Sequence, residues 1–306
     1  MTSALFSFTP PTHLSCDWFS GFMEEHLRSA LHDMVDPINN EIKSAGTSLS
    51  QLPADFFGKK NWNFIQSLCA SFIFPIALTI LSFCLAFELY HIAERNNGSF
   101  DIETVATTCI KFIIPFFMIT HCYDILYSIA LVMSNLMHVF AQKLSGSPAQ
   151  LSLQIDEIMT LFKQQSGWGQ VGFYNQIASQ IGPIRLFMWI LAIAIYFVIV
   201  GRIFEIAILW LFSPIPTAFL VSSEERRVGV TFYKTFFAVL LQGFIMLVVL
   251  YLYSFTVISF NKTTAGGATS LNNANDILWK LVGISIVLAG TLVGTGKVAK
   301  SLVNAF

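Results

Sequence analysis

The chain has 306 residues, of which 55% are hydrophobic and only 11% charged, with a net charge of −1 and a mean hydropathy of +0.65. Soluble domains carry roughly 25% charged residues, so a water-soluble globule is excluded, and the near-neutral balance argues against tight nucleic-acid binding by counterion release. Several apolar runs exceed the ~20 residues needed to cross a bilayer core, which predicts an all-α, polytopic transmembrane helix bundle of about five to six spans.

Residues 1–63 read as an N-terminal amphipathic, polar annex. The start, "MTSALFSFTPP", has no basic leader and too short an apolar run for a cleavable signal, so insertion is expected to rely on the first span. Asp17 is placed to cap a helix. Trp18, Phe19, Phe22, Met23, Leu27, Leu31, Met34 and Val35 then recur on one helical face, and Pro37 is expected to end it. The opposite face carries Glu24, Glu25, Arg28, Asp33 and Asp36. A helix lying on lipid usually shows Lys and Arg there, so the acidic face predicts that the helix lies against protein, or against the bilayer only weakly. A second break is expected at "QLPADFFGKKN", residues 51–61.

The transmembrane domain is assigned to residues 64–306. The first span, about 64–90, contains Pro75. A second apolar segment, about 104–140, contains Pro115 and is long for one span, so it must tilt, kink or protrude. Residues 141–183 read as a polar, Gly/Ser/Gln-rich loop with helical periodicity around "LSLQIDEIMTLF". Residues 184–221 are one apolar stretch, roughly 57 Å long as a helix at about 1.5 Å per residue. Either the chain turns near Gly201 and Arg202, or one long helix projects beyond the membrane. Further spans are expected at about 231–259 and 277–295, separated by the polar run "NKTTAGGATSLNNAND".

Basic residues orient membrane helices. Arg226, Arg227 and Lys234 flank one side of the 231–259 span, and Lys297 and Lys300 fall on that same side. The loop 222–230 and the C-terminus are therefore expected to be cytoplasmic. A turn at Gly201 gives about six spans and a cytoplasmic N-terminus, whereas a continuous helix gives about five and an external one.

Few residues offer chemistry. Arg202 and Glu205 are three apart on one helix face inside an apolar segment. They read either as a lining or gating pair in a conduit or as an intrahelical ion pair that snorkels to the interface. His121 and Asp124 have the same spacing and read as a proton relay or as a polar pocket between helices. Pro214 and Pro216 break a helix, and a break at membrane depth must face protein or a cavity, unless it is simple termination. Glu224, Glu225, Arg226 and Arg227 read as a partner-docking loop or as a solvated turn. Gly290 and Gly294 form a GxxxG that permits close helix approach. "GTGK" at 294–297 lacks the residues of a phosphate loop. The five cysteines contain no C-x-x-C, and no nucleophile–base pair is evident. Thus no enzyme, metal site or cofactor is expected.

The segment from Arg202 to Ser254, with "SPIP" at 213–216, Lys234 in "YKTFFA" and "LQGF" at 241–244, carries a resemblance, as do "LPADFF" at 52–57 and "FPIALTILSFCLAFELY" at 74–90. These features resemble the TrbL-like polytopic membrane subunits of conjugative type IV secretion systems, especially those of Gram-positive conjugative elements. The resemblance covers most of residues 50–295 and implies a bacterial cytoplasmic-membrane channel or platform subunit for DNA transfer. Implied partners are further copies of the chain, other membrane subunits, motor ATPases, the coupling protein and lipid. A relaxase–single-stranded DNA substrate would pass without sequence-specific binding. The alternatives are a small secondary transporter, with ionisable residues at the midplane, or an accessory membrane protein.

Overall fold

A computed structural model describes residues 14–95, 102–144, 152–164, 168–222, 224–264 and 271–303. The described residues form helices α1 (Leu14–Ser50), α2 (Pro53–Phe56), α3 (Lys59–Arg95), α4 (Ile102–Thr120), α5 (Cys122–Leu144), α6 (Ser152–Gln164), α7 (Trp168–Leu211), α8 (Pro214–Ala218), α9 (Arg226–Thr264) and α10 (Leu271–Val303). Among them, α3, α5, α7, α9 and α10 are each long and apolar enough to cross a membrane. The chain is an all-α, multi-pass membrane protein.

Several boundaries depart from the sequence reading. Asp17 lies inside α1, and Pro37 does not end it. A proline removes one donor and crowds the preceding turn, but packing of the apolar stripe on both sides of residue 37 outweighs that local penalty. Met23, Leu27, Leu31, Met34 and Val35 are buried before it, and Ile38, Ala45 and Leu49 after it. The segment 104–140 is two helices that meet at His121, with Ile125 N–H still bonded to His121 O at 3.0 Å. No turn occurs at Gly201. Residues 184–211 of the apolar stretch belong to one continuous 44-residue helix, α7, which already begins at Trp168. The helical periodicity around 151–162 is realised as α6. The two ends of the "NKTTAGGATSLNNAND" run, 261–264 and 271–276, belong to α9 and α10, and its centre, 265–270, lies outside the described residues, as do residues 96–101 and 145–151.

The chain divides into two compact units, residues 1–41, 148–194 and 253–288, and residues 42–147, 195–252 and 289–306. In the first, α1 packs against α6 and α7, and Phe162 and Phe173 meet at 5.9 Å between ring centroids. The polar face of α1 is paired: Glu24 with Lys163 at 2.9 Å, Arg28 with Asp156 at 3.4 Å, and Asp33 with Arg185 at 3.8 Å. Glu25, Arg28, Asp33 and Asp36 nevertheless stay exposed, so it is the apolar face of α1 that packs on protein, with these pairs at its edge.

In the second unit, α3 buries Trp62, Ile73, Ala77, Leu81 and Cys84. Its other face exposes Phe64, Leu68, Phe72 and Ile76 at steps of about one turn. Such a stripe on a spanning helix is a lipid-facing surface, because hydrocarbon solvates it as well as a protein core does. The short α8 packs against α3 and α4, in a cluster of Ala77, Leu81, Cys84, Ile119, Ala218 and Val221.

The first unit should depend on its apolar contacts far more than on its ion pairs. Phe162→Ala is expected to lower stability by about 3–5 kcal/mol, and Glu24→Ala by less than ~1 kcal/mol. Protease sensitivity at Lys163 during thermal titration in detergent measures both.

Candidate functional site

Arg202, in α7, is 2% exposed and turns into the second unit. A guanidinium has no counter-charge requirement that carbonyl dipoles cannot partly meet, provided its donors are all directed. Here Nε donates to Val239 O at 3.1 Å, one terminal nitrogen to Leu49 O at 2.9 Å, and the other to Leu240 O at 3.3 Å, with Met137 Sδ at 3.7 Å. One side chain thus joins α1, α5, α7 and α9.

Each acceptor is available for a local reason. Leu49 O would ordinarily accept the amide of residue 53, but residue 53 is proline and has no N–H. Arg202 supplies the missing donor. The rest of the α1 terminus is closed as well: Ser50 Oγ donates to Thr47 O at 2.9 Å, Gln51 N–H to Ser48 O at 3.3 Å, and Ser134 Oγ to Ser50 O. A cation at a helix C-terminus also meets the negative end of the dipole. In α9, Gly243 uncovers the carbonyls of Val239 and Leu240. The guanidinium lies so close to Gly243 that a β-carbon there would overlap it.

The neighbouring residues extend this node. Gln242 turns to α10, where its amide reaches Thr295 Oγ1 at 3.5 Å and lies over Gly296. Glu205 is paired with Lys300 of α10 at 3.6 Å rather than bonded to Arg202, so the expected ion pair on one helix is divided between two different jobs. After α2, Gly58 takes the left-handed φ of 82° that admits α3. Phe57 then packs on Trp62 and Phe204, and Trp62 on Trp210 at 5.6 Å.

The proline break is sealed by the chain itself. Pro214 cannot donate to Trp210 O, and Ser213 N–H does so at 3.2 Å. Pro216 cannot donate to Phe212 O, and Ile215 N–H does so at 3.3 Å. That shift frees Leu211 O, which accepts the Tyr123 hydroxyl at 3.0 Å. Thr217 Oγ1 donates to Ser213 O at 2.7 Å and so accepts from the Tyr233 hydroxyl at 2.9 Å. The sequence led us to expect that other subunits or a cavity would meet these groups. Instead, the broken turn finds its partners in α5, α9 and its own backbone.

The remaining expected residues separate. His121 and Asp124 approach at 3.6 Å, but their side chains are 50% and 86% exposed, which places them on the surface and not in a buried relay. Gly290 and Gly294 do not bring another helix close, since no described atom would lie within 4 Å of a β-carbon at either position. Arg226 and Arg227 start α9 instead of lying in the loop. Glu224 and Glu225 line a cavity of about 410 Å³ together with Glu88 and His91 of α3. Glu88, which the sequence did not single out, is buried. Its i+3 spacing to His91 is the only signal that could have linked it to this cavity.

The geometry holds helices together; among the described residues no group of three metal-binding side chains occurs. A family model described as TrbL/VirB6 plasmid conjugal transfer like protein matches residues 38–214, more than half of the chain. No curated protein and no solved structure matches the chain. The matched region holds Leu49, Pro53, Arg202 and Pro214, whereas Gly243 lies beyond it.

Two outcomes follow from the node and the break. Gly243→Ala should expel the guanidinium and destabilise the protein by at least ~2 kcal/mol, seen as a lower melting temperature in detergent, whereas Gly290→Ala should leave it unchanged. Replacing both Pro214 and Pro216 by alanine should let α7 run on through α8, detaching residues 218–221 from α3. A disulfide engineered between positions 77 and 218 would then form in the parent chain and fail in the double variant, with membrane insertion intact in both.

Proposed function

Because the chain belongs to the TrbL/VirB6 plasmid conjugal transfer like family, we propose that it is a channel or platform subunit in the cytoplasmic membrane of a bacterial DNA-transfer machine. Association with other subunits of that machinery follows from family membership. The finer reading is that copies of the chain pack side by side with other membrane subunits, in reach of motor ATPases and the coupling protein. They form part of the wall past which a relaxase–single-stranded DNA substrate moves. The loop 222–225 and the C-terminus face the cytoplasm on this reading, as the distribution of Arg226, Arg227, Lys234, Lys297 and Lys300 favours.

The observation that carries the lateral packing is the outward face of α10. Gly283, Gly290 and Gly294 fall on one helical face at spacings of seven and four, with Ile286, Val287 and Val293 exposed around them. No described atom would contact a β-carbon at any of the three glycines. Small residues let helix backbones approach closely in lipid, and here the chain itself does not use that approach. The intramembrane charges support the same reading. Arg202 and Glu205 are engaged in holding helices together, which suits a wall or platform better than an ion-coupled transporter.

Deletion of the gene is expected to abolish conjugal transfer and complementation to restore it; normal transfer without the gene would overturn the proposal. Replacing Gly290 and Gly294 by leucine should reduce crosslinked oligomers by about tenfold without lowering the monomer's melting temperature. Uptake of a solute by liposomes containing the chain alone would favour the transporter instead.

A further inference from the structure

The cavity beside Glu224 and Glu225 is built in two parts. Its walls are apolar and aromatic, with Phe83 and Phe87 of α3 on one side and Phe219, just past α8, on the other. Its remaining lining is acidic: Glu88, Glu224 and Glu225, with His91 Nε2 at 3.6 Å from Glu224 Oε1. Arg226 and Arg227 are exposed nearby but do not line it. At about 410 Å³ the space suits one or two long side chains and is too small for a helix.

We infer that this cleft receives an arginine side chain presented by a partner protein. The aliphatic stem of arginine lies well along apolar surface while its charge stays at the polar end. The planar guanidinium stacks on aromatic faces and bonds carboxylates with two parallel donors, which a lysine ammonium cannot do. Phe83 and Phe87, 62% and 63% exposed, give the stacking surface, and the glutamates supply the acceptors. A zwitterionic phospholipid brings a phosphate that the same carboxylates repel beside the amine that they attract, so it fits the lining less well than a bare guanidinium does. The cleft lies one turn beyond the sealed proline break. The packing of α8 on α3 and α4 therefore fixes its floor, and Ser222, Glu224 and Glu225, which follow the Pro214–Pro216 turn, line the cleft opposite α3. This inference rests on the reading of the chain as an assembly subunit and names the chemistry of one partner contact.

Cys84 lines the cavity and reports its occupancy, while Cys69 does not line it and serves as the internal control. The full chain in phosphatidylcholine nanodiscs would be treated with N-ethylmaleimide, and alkylation at each cysteine read by peptide-mapping mass spectrometry. A capped leucine–arginine–leucine peptide should slow modification of Cys84 by about tenfold, and its citrulline counterpart should not. Cys69 should react at one rate throughout. Glu224→Gln with Glu225→Gln should remove the protection. Equal protection by both peptides, or by neither, would overturn the inference. So would protection that appears when phosphatidylethanolamine replaces phosphatidylcholine with no peptide present, because the cleft would then be a headgroup site. These outcomes are independent of transfer in the deletion strain: normal mating there defeats the assembly reading, whatever the peptides do.

Discussion

The arrangement of the second unit depends on one carbonyl. Leu49 O loses its helical partner because Pro53 has no N–H, and a buried, unpaired carbonyl is costly in a protein interior. The Arg202 guanidinium makes good that loss and is itself satisfied by Val239 and Leu240. Neither half is stable alone. Without Arg202 the end of α1 lacks a donor, and without the carbonyls a cation is buried among apolar helices. Gly243 completes the node by leaving the backbone of α9 bare enough for the guanidinium to reach it.

The same logic, a missing donor replaced from close by, governs the break between α7 and α8. Each proline's absent amide is replaced by that of the residue before it, and Leu211 O, freed by the second of these shifts, accepts from Tyr123. Broken helices persist at membrane depth only where protein or water covers the freed groups. Here the cover is intramolecular. The break is consequently a structural corner that directs the chain from α7 back along α3, and no sister chain is needed to explain it. What remains for a sister chain is apolar surface and small residues, most clearly on α10.

This division of labour fits a family of membrane components of DNA-transfer systems. Charges inside the bundle are committed to internal geometry, which keeps the helices in fixed relation within the unit. Association in lipid must then come from shape, close backbone approach and contacts at the polar ends of the helices. A fixed frame with an open glycine face and an acidic, aromatic cleft at one loop is consistent with the assembly role proposed for the chain.

Composition alone determined that the chain is helical and spans a membrane, because apolar runs of this length leave no other way to satisfy the backbone in lipid. The stripe of α1 and the periodicity of α6 were equally legible, since local spacing reports which face is buried. The residues of the central node were each visible too: Arg202, "LPADFF" and "LQGF" stand out as a charge and two interruptions in apolar sequence. Their meeting was not visible. Leu49 and Arg202 are separated by 153 residues and Arg202 and Val239 by 37, and no local rule pairs a proline's orphaned carbonyl with a distant arginine. Continuity of α1 through Pro37 and of α7 through Gly201 was likewise decided by packing, which outweighs the local cost of a proline or glycine when the faces on both sides of it are buried together. Glu205 shows the limit of spacing most plainly: three residues from Arg202 on the same helix, it is drawn to Lys300 because only the assembled fold brings α10 within reach.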